Sequence, residues 1–423
     1  MDLQSNKSQG SSGENSYGGR PTGKQPWHEH LPAEHEQTLK DWICEHVRSE
    51  GPITFAQYME WALYHPRWGY YTTGPNIGPQ GDFTTSPEAS PAFGRLLAKH
   101  VAEVYNLLAD PPVLHTVEFG PGMGTLAADL LDTLRARYPS VYARTLYWLV
   151  EVSPALAEAQ RARLLPKHEG HVRWVESMQA LPSLMDTVVL ANEFVDAFPV
   201  HVVENYGGQL VEQYVGVNEH AELCLVRGPV SHHKLLEFLD QHDISLQPRQ
   251  KIEINLAAEE WIRQLGEKMT KGVVTIIDYG DTAPARYSEV RKEGTLLGYH
   301  GGRVTDNPLA NPGQQDLTAL VDFTALQQAA HRVGFATLGL LRQAHFLVGL
   351  GLGTIETVES VDTGDLARAL EYRRGLHALV SMEGLGRFHV LVLGKNVDHQ
   401  VARAKLSGLR YAHLMDPEGS QQQ

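Results

Sequence analysis

Residues Val117–Thr125 read VEFGPGMGT, and the reading of this stretch decides the fold. An apolar run beginning at Val113 leads into it. Beyond it comes AADLLDTLRARY, where Leu130, Leu131 and Leu134 recur at helical spacing. A strand, a turn holding Gly120, Gly122 and Gly124, and a helix make the opening of a nucleotide-type α/β fold. Glycine suits such a turn because the backbone must bend tightly and let a ligand approach within contact distance.

Working outward, strands are expected at Leu146–Glu151, Val172–Glu176 and Thr187–Ala191. Helices follow the first two strands of the series, and Ser153-Pro154 supplies an N-cap and an N1 proline for one of them. VVTIIDYG ending at Gly280, Leu338–Leu341 and Phe388–Leu393 extend the strand set. Strands alternating with helices imply a mainly parallel sheet with right-handed crossovers. Residues 200–227 break that alternation and read as antiparallel hairpins.

On the N-terminal side, one amphipathic helix is expected over Leu31–Ser49, and Thr54 caps a second that stops before Pro66. Ser86-Pro87 opens a third, expected to run to about Ala109. The irregular stretch between Pro66 and Glu88 is too long for an ordinary connection and too aromatic for disorder, which marks it as functional. The expected organisation is a disordered tail over 1–30, then a helical region with a cofactor-covering loop over 31–110. A core follows over 111–396, with cleft-shaping insertions at about 200–230 and 281–323, and then a C-terminal extension over 397–423 that ends in a disordered tail.

The chain has 423 residues, 42% of them hydrophobic, enough for a large core. Its formal net charge of −14 disfavours a nucleic-acid partner, since phosphate neutralisation needs basic surface. Two cysteines, Cys44 and Cys224, offer neither a disulfide framework nor zinc spacing and point to a reducing compartment. No apolar run approaches the ~20 residues of a membrane span. The 21 histidines show no ligand spacing, so no metal is expected.

The glycine turn admits a dinucleotide, S-adenosylmethionine, or no ligand at all, because Gly122–Ala127 also satisfies G-x-G-x-x-A. Glu118, at the strand end before the turn, would be awkward beside a pyrophosphate but suits the ammonium of a methionyl group. The following helix N-terminus suits that group's carboxylate. Glu151 ends the next strand, where a ribose diol would lie, and Ser177-Met178 follow the third strand, where an adenine edge and face would lie. The plainer alternative is a tight turn, a helix-edge acid and a core methionine.

GDFTTSPEASPAFG (Gly81–Gly94), VEFGPGMGTLAADLL, VEVSPALAEAQ (Val150–Gln160), ANEFVDAFPV (Ala191–Val200) and IIDYG (Ile276–Gly280) together resemble the MidA-like methyltransferases. That family includes a mitochondrial complex I assembly factor that methylates an arginine of its partner subunit. The resemblance spans about residues 33–396. It implies a class I S-adenosylmethionine-dependent methyltransferase, a Rossmann-like α/β fold with a helical N-terminal region and inserted hairpins.

The resemblance implies that Gly120, Gly122 and Gly124, with Pro121 between them, hold the cofactor. It gives Glu151, with Val152 beside it, the ribose, and places Thr85 and Ser86 at the cofactor's border. It also implies a partner protein presenting an arginine. Glu193 and Asp196, after the fourth strand, are the candidates to clamp that guanidinium, and Asn192 could serve adenine, acceptor or the turn alone. Helix capping is the simpler role for both acids. Two departures stand out: Gly298–Pro308 is less like the family pattern, and Leu320 sits where a polar residue is expected. A small-molecule acceptor, or an assembly factor that keeps the fold to bind a partner, are the competing functions. The chain is expected in the cytoplasm, or in the mitochondrial matrix of a eukaryote despite the lack of a clear transit peptide, with a homodimer as the expected assembly.

Overall fold

Seven strands form the central sheet: β1 (Leu114–Phe119), β2 (Thr145–Val150), β3 (Val172–Val175), β4 (Thr187–Asn192), β5 (Gly272–Asp278), β6 (Ala336–Arg342) and β7 (His389–Lys395). Their spatial order is β3-β2-β1-β4-β5-β7-β6. The pairs from β3 through β5 are parallel, and β7 runs antiparallel to both its neighbours. Chain order reverses at β1, which has β2 on one side and β4 on the other. That switch point opens a crevice at the carboxyl ends of the strands. These coordinates come from a computed structural model that describes residues 38–73, 84–354 and 366–414. The expected tail over 1–30 and the C-terminal tail lie outside the described residues, as do His28, His30 and His35 of the histidine set without ligand spacing and Asp82 of the GDFTTSPEASPAFG block.

β4 and β5 are buried along nearly all their length because helices cover both faces of the sheet. One face packs on the helices Pro91–Leu107 and Thr125–Arg137, the other on Leu256–Lys268 and Phe323–Arg332. The single helix expected from Ser86 to about Ala109 is two. Ser86–Ala89 is one short turn, Ser90 adopts extended backbone, and Pro91–Leu107 is the long helix. The second Ser-Pro pair, Ser90-Pro91, explains the break, because a residue before proline is pushed out of helical geometry. The Ser90 hydroxyl then accepts from the Ala92 amide as an N-cap.

A second, antiparallel sheet joins strands His201–Tyr206, Gln209–Val217, Leu223–Gly228 and Lys251–Ile254, with the short strand Ile53–Thr54 on its edge. Ile53 pairs with Val215, so the N-terminal segment is stitched to strands some 160 residues away in sequence. One apolar cluster contains Leu39, Ile43, Tyr58 and Trp61 together with Val202, Val215, Leu317 and Ala319. Residues 297–318, within the insertion expected at about 281–323, form a three-stranded antiparallel sheet (Leu297–His300, Arg303–Thr305, Asp316–Thr318) whose last strand carries Leu317 into that cluster. At the C-terminus, the helix His399–Lys405 and the turn Ser407–Leu414 pack Ala402, Leu406 and Leu409 into the main core.

Candidate active site

β1 ends at Phe119 and the chain turns through Gly120, Gly122 and Gly124, all in left-handed backbone (φ 63°, 53° and 74°). Only glycine takes such values without strain. A Cβ on Gly120 would lie 2.8 Å from Phe194 Cδ2, so the turn is also packed against the segment after β4. Gly124 is the N-cap of helix Thr125–Arg137 and no side chain caps that helix, which leaves its first amides to a ligand.

The carboxyls predicted beside the loop converge there. Glu118 is buried, and the Tyr147 hydroxyl donates to its Oε2 at 2.8 Å. Burial pushes its pKa up to about 7; the Tyr147 bond opposes the rise and the Glu151 charge adds to it. Glu151 Oε1 accepts the Ser153 amide at 2.8 Å, and Oε2 accepts Gln160 Nε2 at 3.1 Å. Gln160 Nε2 also donates to the Gly122 carbonyl at 2.7 Å, and Gln160 Oε1 accepts from Trp174 Nε1 at 3.0 Å. One fully buried amide thus ties the glycine turn to the acid of the next strand.

A Gln160→Leu substitution should therefore loosen both at once. The loss expected is about tenfold in cofactor affinity and roughly 1–3 kcal/mol in stability, from unpaired buried groups. Titration calorimetry and thermal unfolding check it.

Glu118 gives a pH prediction whose sign follows from its raised pKa. The fold binds this proton more tightly than the unfolded chain does. The associated stabilisation is full below pH 4.5, the ordinary value, and is lost as pH rises through about 7. Glu118→Gln removes the penalty of the buried charge. At about pH 8 the cofactor-free variant should be more stable than the wild type, by on the order of 2–3 kcal/mol. Unfolding curves across that range would show it, and an unchanged pH dependence would contradict it.

On the other side of the switch point, β4 leads into Asn192-Glu193-Phe194-Val195-Asp196. Asp278, at the end of β5, lies across from Glu193. Its Oδ2 accepts the amides of Phe194, Val195 and Asp196 (3.0–3.2 Å), and its Oδ1 that of Tyr279 (2.8 Å). Asp278 is therefore the anchor of this turn. Burial and the neighbouring Asp196 and Glu193 carboxyls push its pKa up, against the pull of those amides.

Glu193 itself has left-handed backbone (φ 49°), a strained state for a non-glycine residue that marks a position fixed by its surroundings. Its Oε1 accepts the Ser86 amide at 2.9 Å and Asn192 Nδ2 at 3.0 Å. Burial raises its pKa to about 7, with Asp196 adding to the rise.

These groups surround a cleft of about 830 Å³, measured to its open mouth. Of the residues singled out from sequence, Thr85, Glu118, Gly120, Pro121, Gly122, Glu151, Val152, Asn192 and Glu193 line it. Ser86, Gly124, Ser177, Met178 and Asp196 do not. Ser86 is buried behind the wall, its amide on Glu193 and its hydroxyl donating to Gln343 Oε1 at 3.1 Å. Gly124 packs against Gln160. Met178 enters the core with Phe119 and Val150, and Ser177 is buried before it; neither lines the cleft as described.

Asp196 is buried, with Oδ1 unpartnered among the described residues; its pKa is pushed to about 6 by burial, with the Tyr279 hydroxyl opposing. Leu320 is half-buried away from the cleft, its amide on Thr295 Oγ1. Sequence reasoning missed Tyr64, Tyr71, Glu88, Met123 and Thr125 on the wall. The aromatic richness after Pro66 was the one available signal for Tyr71. Among the described residues, no group of three His, Cys, Asp or Glu side chains is placed to hold a metal ion, and no helix is long and apolar enough to cross a membrane.

A glycine turn and an uncapped helix after β1, a carboxylate at the end of β2 and an acidic turn after β4 define a class I methyltransferase site. The residues fit S-adenosylmethionine. Asn192 Oδ1 is a buried acceptor without a partner on the cleft wall, and two carboxylates stand at adjacent strand ends for amine and hydroxyl donors. Residues 96–341 match the family model of S-adenosyl-L-methionine-dependent methyltransferases, and the chain belongs to that family.

Among its relatives is the mouse protein arginine methyltransferase NDUFAF7, mitochondrial, 31% identical over 391 residues that cover 86% of each chain. The human protein of the same name is 29% identical over 407 residues, covering 90% of this chain and 87% of the relative. A solved structure of a COG1565 superfamily member from Burkholderia thailandensis, bound to S-adenosyl-homocysteine, superposes with a TM-score of 0.77. It is 29% identical and covers 87% of this chain and 96% of its own. The NDUFAF7 relatives are named as mitochondrial, so the expectation of a cytoplasmic protein finds no support in them.

Proposed function

We propose that this chain transfers a methyl group from S-adenosylmethionine to an arginine side chain of a partner protein. The observation that carries the reading is Glu193. This carboxyl stands on the wall of the cleft that holds the glycine turn and Glu151, locked by the Ser86 amide and by a strained backbone. The mouse and human relatives named as protein arginine methyltransferases support the same acceptor.

The bound cofactor supplies an electrophilic sulfonium methyl. What remains for the chain is positioning and charge. Glu151 would hold the ribose hydroxyls; Glu118, Asn192 and the first amides of helix Thr125–Arg137 would hold the methionyl end. A guanidinium is a poor nucleophile because it stays protonated. A carboxylate such as Glu193 can accept two of its N–H groups, draw the positive charge toward itself and leave a far nitrogen richer in electrons. Methyl transfer to that nitrogen releases a proton, and Glu193, with its pKa near 7, can hold it. Asp196 would add negative charge from behind the wall rather than touch the acceptor. The proposed compartment is the mitochondrial matrix in a eukaryotic host, and a homodimer is the proposed assembly.

The test is incubation of a cell lysate with the purified chain and methyl-labelled S-adenosylmethionine. Label should enter acid-precipitable protein. Label confined to the small-molecule fraction would overturn the reading in favour of a metabolite acceptor.

A further inference from the structure

Among the cleft-lining side chains with no role in cofactor binding or clamping are two tyrosines. Tyr64 ends the helix Phe55–Tyr64, and Tyr71 lies in the turn that follows it. Their rings stack with centroids 5.6 Å apart and planes 26° from parallel. Both hydroxyls are engaged: Tyr64 donates to the Ala197 carbonyl at 2.9 Å and Tyr71 donates to Asp316 Oδ1 at 2.8 Å. Ala197 belongs to the turn that carries Glu193, and Asp316 to the small sheet of residues 297–318. The rings are half-buried, while Asp316 is buried. With the hydroxyls held, what this pair offers the cleft is aromatic surface.

We infer that Tyr64 and Tyr71 form the aromatic wall of the acceptor subsite, selecting a flat, delocalised cation held between that wall and Glu193, with Asp316 as the positioning residue for Tyr71. The inference rests on the proposal that the acceptor is an arginine. An aromatic face attracts a guanidinium both as a cation and as a plane that can stack. A phenol donating to a carboxylate keeps more electron density in its ring, so the Tyr71–Asp316 bond strengthens that attraction. The surrounding charges agree. Asp196 and Asp316 both act on Tyr71, and Asp196 on Glu193. The site collects negative charge that an incoming cation would neutralise.

The subsite also explains why residues so far apart share one core. The helix over residues 55–64, the turn after β4 and the 297–318 sheet each contribute one part of the wall. Such a wall cannot form from the methyltransferase sheet alone.

The experiment measures binding of N-acetyl-arginine amide and its neutral isostere, N-acetyl-citrulline amide, by saturation-transfer NMR in the presence of S-adenosyl-homocysteine. The proteins are the wild type and the variants Tyr71→Leu, Tyr64→Leu and Tyr71→Phe. The wild type should prefer the arginine probe. Each leucine variant should lose about tenfold in affinity for it. Tyr71→Phe, which keeps the ring but loses the bond to Asp316, should fall between. Thermal unfolding and S-adenosyl-homocysteine affinity serve as fold controls, and Tyr71→Phe carries the test if a leucine variant fails them. Variants that bind the arginine probe as tightly as the wild type would overturn the aromatic wall alone. A wild type that binds both probes equally would overturn the arginine acceptor itself.

Discussion

Glu193→Gln should lower kcat/KM for the acceptor by about 10²–10³-fold while leaving cofactor affinity within a few-fold of wild type. Glutamine keeps the size of the side chain, and its amide oxygen can still accept the Ser86 N–H. The turn after β4, tied by Asp278, should therefore remain in place. What disappears is the charge that would polarise a guanidinium and the site that would hold the released proton.

The pH dependence separates this from a merely structural role. Burial raises the Glu193 pKa to about 7, so the reactive carboxylate is lost as pH falls through that value. With saturating cofactor, kcat/KM should fall about tenfold per pH unit below that point in the wild type, and the limb should be absent from the glutamine variant. Saturation with cofactor matters because Glu118 also titrates near 7 and bears on cofactor binding. A glutamine variant with full turnover would remove Glu193 from the acceptor site and leave the cofactor site standing.

Gly122→Val should abolish cofactor binding, with a loss of more than about 100-fold in affinity. Gly122 has φ 53° and lines the cleft. A β-branched residue adopts that backbone only with strain, and its side chain would alter a wall meant for close approach. The change would also propagate. The Gly122 carbonyl accepts from Gln160, whose same nitrogen donates to Glu151, so a displaced turn would release the acid at the end of β2. The turn lies outside the main apolar clusters, so global stability should fall by only about 1–3 kcal/mol. Calorimetry with S-adenosyl-homocysteine, set beside thermal unfolding, distinguishes a lost site from a lost fold.

The cofactor half of this site was legible in the sequence because it is local. Gly120, Gly122, Glu151 and Asn192 lie at or just past the ends of strands whose apolar runs are plain, and parallel strands bring their carboxyl ends to one edge. Glu151 and the glycine turn face each other for that reason alone. The tyrosine wall facing Glu193 was not legible. Tyr64 and Tyr71 reach the cleft, with Asp316 bonded behind Tyr71, through pairings such as Ile53 with Val215 and through a core shared by segments more than 200 residues apart.

Gln160 shows a third case. In sequence it is an ordinary polar residue on the helix Pro154–His168, and only the fold-back of that helix onto the glycine turn reveals its three hydrogen bonds. The broken helix at Ser90 was readable in principle, since Ser90-Pro91 repeats the signal at Ser86-Pro87. Ser177 and Met178 stand off the cleft wall for a packing reason: the apolar cluster around Phe119 and Trp261 draws Met178 inward.

The most direct measurement concerns the residue that receives the methyl group. Protein labelled by the purified chain and methyl-labelled S-adenosylmethionine is digested and sequenced by tandem mass spectrometry. The account predicts label on arginine guanidinium nitrogens, present with the wild type and lost with Glu193→Gln. Label carried on lysine, on a carboxylate or on a hydroxyl side chain would contradict it.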